Sequence, residues 1–291
     1  MLQKLRLSQF KLSYQYREYH FRPAQLAPAT PDPPTLGLNR LHRSSDGLVL
    51  AFHISFALSA RKTAQVLRQV FGVPLSYQSV LNYAQAAAYY CHHFNLRHKA
   101  PFSSTATGDE TYIRVAGKHH FTFFFLDPQG HHITSYHVAP ERDELAATVA
   151  LGEAARTLLQ DRSLLFITDG NPSYQAGVHF LNRHRSPHQP PFTLLQVIGL
   201  ENLGAISTQY RPFKQLLERL NRTYKYHVRS ACGFATRNGA VALTTLFVTH
   251  YNFLRPHMAL QYRIPIALPE LNSLSTLQGK WTKILEMALA A

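Results

Sequence analysis

The chain has 291 residues, 45% of them hydrophobic, so it can bury one large core or two modest ones, and no apolar run approaches the roughly 18 uncharged residues of a membrane helix. Thirty Lys and Arg against 16 acids leave a net charge of +14 with His neutral and a pI of about 9.9. That charge attracts polyanions, nucleic acid before membrane surface, because no strongly amphipathic basic helix is evident. Two cysteines, Cys91 and Cys232, exclude a disulfide framework, and "MLQKLRLSQFKLSYQYREYH" lacks the apolar centre of a secretory signal. A cytoplasmic protein without a membrane partner is expected.

Residues 1–43 read as an irregular N-terminal linker, since "RPAQLAPATPDPPTLG" carries five prolines. Residues 44–100 turn helical. One helix carries Ala64, Val66 and Leu67; "FGVPLS" makes a turn; a second helix starts at the N-cap Ser76 with Val80, Leu81 and Ala84 as its apolar stripe. Two helices about a Gly-containing turn suit a helix-turn-helix, and the second would present Gln78, Ser79 and Asn82 to a DNA groove. An ordinary helical pair has the same pattern, and the positive charge favours the DNA reading. "CHHFNLRH" (91–98) lacks a second ligand pair and reads as a His-rich helix end, not a zinc site.

Residues 101–268 alternate strands and helices. "ATGDETYIRVAG", "KHHFTFFFLD" and "HHITSYHVAP" predict a meander of three strands, with "DPQG" as a tight turn that uses Asp127. A helix capped by Asp143 follows, then "SLLFITDG", an apolar run suited to a strand buried on both faces. A helix around "PSYQAGVHFLNRH", a strand at "FTLLQVIG", and helices over about 212–229 and 240–253 complete an α/β order. Residues 269–291 read as a C-terminal tail.

Three acids stand out by position. Asp109 opens the first strand, Asp169 ends the buried strand, and Glu218 lies on the helix "RPFKQLLERLNRTYKYHVR" beside Arg222, Lys225 and Arg229. The helical group alone also suits a solvated face with salt bridges. Carboxylates from three separate elements are what two Mg²⁺ ions need to act on a phosphodiester. Asp109 and its neighbour Glu110 alternate to opposite faces of the strand, so only one of them should enter a metal site, and the alternation does not choose between them.

"GDETYIRVAGK", "FITDGNPSY", "FKQLLERLNRTYKYHVR" and "YNFLRPHMAL", in this order behind the helix pair, resemble the blocks of bacterial and archaeal insertion-sequence transposases of the DDE class. The resemblance spans roughly Ser44 to Pro265. It implies an α/β, RNase H-like, mixed five-stranded sheet flanked by helices and preceded by an all-α helix-turn-helix module. It also implies a polynucleotidyl transferase that cleaves DNA at insertion-sequence ends and joins them to target DNA with two Mg²⁺, or Mn²⁺, ions. Its acids map to Asp109, Asp169 and Glu218 as catalytic metal ligands. That choice makes Glu110 a supporting or structural residue.

The gap between Asp169 and Glu218, 48 residues, is longer than is common in such enzymes. It leaves Glu201, 31 intervening residues beyond Asp169, as the rival third acid. Lys225 matches a basic position thought to touch DNA near the active site, with Arg222 and Arg229 beside it. Asn252, Arg255 and His257 either pack the domain or contact DNA. The expected partners are double-stranded DNA, as terminal inverted repeats and target, and further copies of the chain, in the nucleoid. The alternative is a decayed or domesticated transposase that binds DNA without cutting it. A dinucleotide enzyme is excluded, because no GxGxxG follows a strand.

Overall fold

A computed structural model describes residues 20–34, 43–100, 103–156, 162–198 and 204–290. Its centre is a sheet of five strands: β1 (Thr105–Val115), β2 (Lys118–Leu126), β3 (Ile133–Ala139), β4 (Leu165–Thr168) and β5 (Thr193–Gln196). The order is β3-β2-β1-β4-β5, with β1, β2 and β3 antiparallel and β1, β4 and β5 parallel. The meander expected from the sequence is present. The turn from β1 to β2 is Ala116–Gly117, with φ of 48° and 77°, the double left-handed geometry of a type I′ hairpin. Asp127 forms the next turn, accepting hydrogen bonds from the backbone N–H of Gln129 (2.8 Å) and Gly130 (3.1 Å).

"FTFFFL" explains why the sheet is covered twice. Alternation sends Phe123 and Phe125 to one face, where they pack with α4 (Glu144–Ala155), α5 (Pro172–Arg183) and Tyr174. Phe124 and Leu126 go to the other, against Leu217, Leu220 and Tyr224 of α6 (Ala205–Ala231) and Phe247 of α7 (Arg237–Phe253). Such a sheet, with helices on both faces, is the RNase H-like architecture the resemblance implies. Asp143 caps α4 as expected, its Oδ1 2.9 Å from the Ala146 amide. The helix predicted from Pro212 begins earlier, at Ala205, because Gly204 opens it and Pro212 sits inside. Proline suits a first turn better than an interior, where its missing N–H costs a helical bond, so the sequence signal pointed to a later start.

A second core is built mainly from helices. It joins α1 (Arg43–Leu50), the π-helical segment Ala51–Ser55, α2 (Ala60–Phe71), α3 (Tyr77–Arg97), α7 and α8 (Leu277–Leu289). Ser59 and Ser76 cap α2 and α3, and Gly72 ends α2 in the left-handed region at φ 67°. The stretch read as a tail therefore holds a packed helix: Trp281 is fully buried, and its Nε1 donates to Ser55 Oγ at 2.9 Å. Within the Pro-rich N-terminal stretch, Pro23–Leu26 form one 3-10 turn, and the Ala29 amide donates to His137 Nδ1 at 3.0 Å. Among the described residues no helix is long and apolar enough to cross a membrane.

Candidate active site

The acids gather where the sheet opens. β4 pairs with β1 only over Thr105–Thr107, so among the described residues no strand covers the β1 edge at Asp109 and Glu110. Gly108 precedes them, and a Cβ there would lie 2.1 Å from Phe125 Cε1; no larger residue fits without displacing that ring. Asp169 follows β4 at its carboxyl end, where open α/β sheets collect ligands. Its loop is held from three sides. The Asn171 amide donates to Asp169 Oδ1 at 3.1 Å, Asn171 Oδ1 caps α5 by accepting from Ser173, and Gln196 Nε2 on β5 donates to the carbonyls of Asp169 and Asn171, both at 3.1 Å.

One oxygen each from Asp109, Glu110 and Asp169 lie within 4.8 Å of one another. Both adjacent acids, not Asp109 alone, therefore lie near Asp169. The two do leave β1 toward different elements. Asp109 Oδ2 accepts a hydrogen bond from Asn221 Nδ2 of α6 at 3.1 Å. Glu110 turns toward α5, where it accepts from the Tyr174 hydroxyl and from Asn171 Nδ2. Arg142, between β3 and α4, then joins the set: its Nε pairs with Glu110 and its Nη2 with Asp169 Oδ2 at 3.1 Å.

The electrostatics follow. Burial, then the neighbouring Glu110 and Asp169, push the Asp109 carboxyl up to about 7, against the pull of the Lys214 ammonium. Burial, then the Glu110 carboxylate, raise the Tyr174 hydroxyl well above its ordinary value, so it stays a donor. Three hard oxygen donors that repel one another suit a divalent cation such as Mg²⁺. Asn221 Oδ1 is buried without a hydrogen-bond partner among the described residues, a further oxygen donor beside the set.

Glu218 is not within that group of three. It is exposed on α6, four residues after Lys214 and three before Asn221, so its Cβ projects from the helical stripe that faces Asp109. Lys225 continues the stripe, its ammonium 4.3 Å from the centroid of the Tyr112 ring, while Arg222 and Arg229 are exposed. The rival Glu201 lies outside the described residues. Gln78 and Asn82 are exposed at the start of α3 and bonded to each other at 2.8 Å; the Ser79 hydroxyl is taken by the cap residue Ser76 at 2.9 Å. Asn252 has a packing role: its side chain exchanges two hydrogen bonds with the Ile133 backbone, at 2.8 and 2.9 Å.

Sequence reasoning missed Arg142, Tyr174, Asn171, Gln196, Lys214 and Asn221. Lys214 and Asn221 were findable, since they flank Glu218 at helical spacing. The others become visible only when strand register is known.

Residues 103–232 match the family model described as "DDE domain", and residues 205–265 match "Integrase core domain". Together the matches run from 103 to 265, more than half of the chain. No curated protein matches the sequence. Among solved structures, the HTLV-2 integrase catalytic core domain in complex with magnesium is 13% identical, with a TM-score of 0.39 over 57% of this chain and 97% of that one. A simian T-cell lymphotropic virus intasome in complex with a PP2A regulatory subunit is 16% identical, with a TM-score of 0.36 over 72% and 70%. The Mos1 strand transfer complex is 13% identical, with a TM-score of 0.26 over 76% and 80%. On these two matches, residues 103–265 carry a DDE-type integrase core, and such domains are polynucleotidyl transferases.

Proposed function

We propose that the chain binds double-stranded DNA at the terminal inverted repeats of an insertion sequence, cleaves it there and transfers the freed end to target DNA. The convergence of Asp109 and Asp169 beside the Glu218 stripe, inside the matched DDE domain, carries this reading. Asp109, Asp169 and Glu218 would hold two divalent ions, Mg²⁺ or Mn²⁺, which supply Lewis acidity at the attacking and leaving oxygens.

The rest belongs to the chain's own groups. Asn221 fixes the Asp109 carboxylate by its hydrogen bond, and the Asn171 amide and Arg142 fix Asp169. Glu110, anchored by Tyr174 and Arg142, supports the site from the opposite face. Lys225, Arg222 and Arg229 hold DNA phosphates along α6. Gln78, Ser79 and Asn82 at the start of α3 meet base edges in a groove. In the first step water attacks phosphorus and the P–O3′ bond breaks, leaving a 3′-hydroxyl and a 5′-phosphate. In the second that hydroxyl attacks a target phosphodiester and displaces a target 3′-oxygen. Joining two ends at once calls for a homo-oligomer in the nucleoid-bearing cytoplasm.

The test is end-labelled element DNA with Mg²⁺. Asp109→Asn, Asp169→Asn and Glu218→Gln should each abolish cleavage while retaining DNA binding. Loss of cleavage in Glu201→Gln but not in Glu218→Gln would reassign the third acid.

A further inference from the structure

A cavity of about 260 Å³ lies between β1 and the C-terminal half of α6, beyond the acidic group. Its walls include Tyr112, Arg114, Lys225, Val228 and Arg229, with Cys232 at the rim. Among the described residues three cations and no acid line it, so it selects an anion. It also offers a ring. Tyr112 is 57% exposed, although neighbouring positions of β1 are buried, and the Lys225 ammonium over its centroid fixes the ring plane. An exposed aromatic face among cations is the arrangement that stacks an unpaired base while gripping its phosphate. A duplex cannot use it, because its base faces are hidden in the stack.

The position agrees with that occupant. Tyr112 is three residues beyond Asp109, about 10 Å along an extended strand, and Lys225 is seven beyond Glu218, about 10 Å along a helix. Both walls therefore lead from the acids to the cavity over a distance of a few nucleotides. Along this stretch, β1 lacks a strand partner on one side among the described residues. The pairing with β4 ends at Thr107, and Phe234 bridges only at Val115.

We propose that this cavity seats one unpaired nucleotide of a single-stranded DNA segment next to the scissile phosphate, with its base on Tyr112 and its phosphate held by Arg114 and Arg229. The proposal rests on the transposase reading for its substrate and adds a requirement, that the DNA be unpaired at this point.

The chain carries its own reporter. Of its two cysteines, Cys91 is fully buried, with its thiol pushed up to about 12 by burial, whereas Cys232 is exposed. Alkylation by iodoacetamide therefore reads Cys232. The rate is measured in metal-free buffer with EDTA, so that no cleavage chemistry is involved. The probes are a short oligothymidylate and a blunt duplex at equal phosphate concentration. The oligothymidylate is expected to slow alkylation about fivefold or more at saturation, and the duplex much less. Tyr112→Ala should raise the oligothymidylate concentration needed by about tenfold, the loss of one stacked base, and Tyr112→Phe should restore it. Equal protection by the duplex, no protection, or protection indifferent to Tyr112→Ala would overturn the proposal. If protection holds while end cleavage fails, the proposed function falls and the nucleotide seat stands; if cleavage succeeds without protection, the reverse holds.

Discussion

Asn221 Nδ2 donates to Asp109 Oδ2 at 3.1 Å, a bond between residues 112 apart that ties α6 to the middle of β1. It fixes the rotation of α6, and with it the direction of Glu218 one turn earlier. Removing a group that orients a metal-binding carboxylate costs about 10- to 100-fold in metal affinity or activity. Asn221→Ala is therefore expected to weaken Mn²⁺ binding by about that factor, read by calorimetry without DNA. Unchanged affinity would reduce the bond to packing.

Glu110 and Asp109 are separable despite their adjacency. Glu110 has a side chain only 4% exposed, and its oxygens are already engaged by Tyr174, Asn171 and Arg142. Glu110→Gln should leave slow but measurable cleavage, where Asp109→Asn leaves none. Tyr174→Phe strips a donor from a buried carboxylate and should destabilise the fold by about 1–3 kcal/mol in urea unfolding. Wild-type stability in that variant would show that the hydroxyl is dispensable.

Sequence alone exposed the sheet because its strands are marked in two ways: β-branched and aromatic runs for β1, β2 and β3, and an apolar four-residue core for β4. Caps at Ser76 and Asp143 were legible from local chemistry. The role of 277–289 was not, because the partner of Trp281 lies 226 residues away at Ser55. The place of Glu110 also escaped. Strand alternation gives the direction of Cβ, whereas the carboxylate is held by Tyr174, Asn171 and Arg142, partners distant in sequence. Arg142 carries no periodic signal; it sits in the loop between β3 and α4 and reaches the acids only in the folded chain.

Gly108 sits where β1 passes Phe125. Gly108→Ala forces that ring to move and should cost about 1–3 kcal/mol through overpacking. Because the next residue is Asp109, cleavage should drop along with the melting temperature. An alanine variant as stable as the parent would mean that the ring yields freely.

Acid should destabilise the metal-free protein. Burial holds His92 and His137 down to about 4 and His250 down to about 3, so all three stay neutral in the fold while the unfolded chain protonates them near 6.5. Their stabilisation is full above pH 6.5 and is lost as pH falls toward 4, each at about 1.4 kcal/mol per pH unit. Asp109 and Glu153 act oppositely, their raised values favouring the fold as pH falls, but two carboxyls are outnumbered by the eight described histidines that burial lowers. Urea midpoints should therefore drop between pH 7.5 and 5. A flat or rising profile would contradict the burial of these rings.

Under the proposed function, Asp109, Asp169 and Glu218 form one metal-dependent strand-transfer site. The most direct measurement is joining of labelled element-end DNA to a target plasmid with Mg²⁺, comparing the parent protein with Asp109→Asn, Asp169→Asn and Glu218→Gln. Joined product is expected from the parent only, with loss of product in EDTA and undiminished DNA binding by all three variants. Joined product from any of the three at the parental rate, or from the parent in EDTA, would contradict the proposed function.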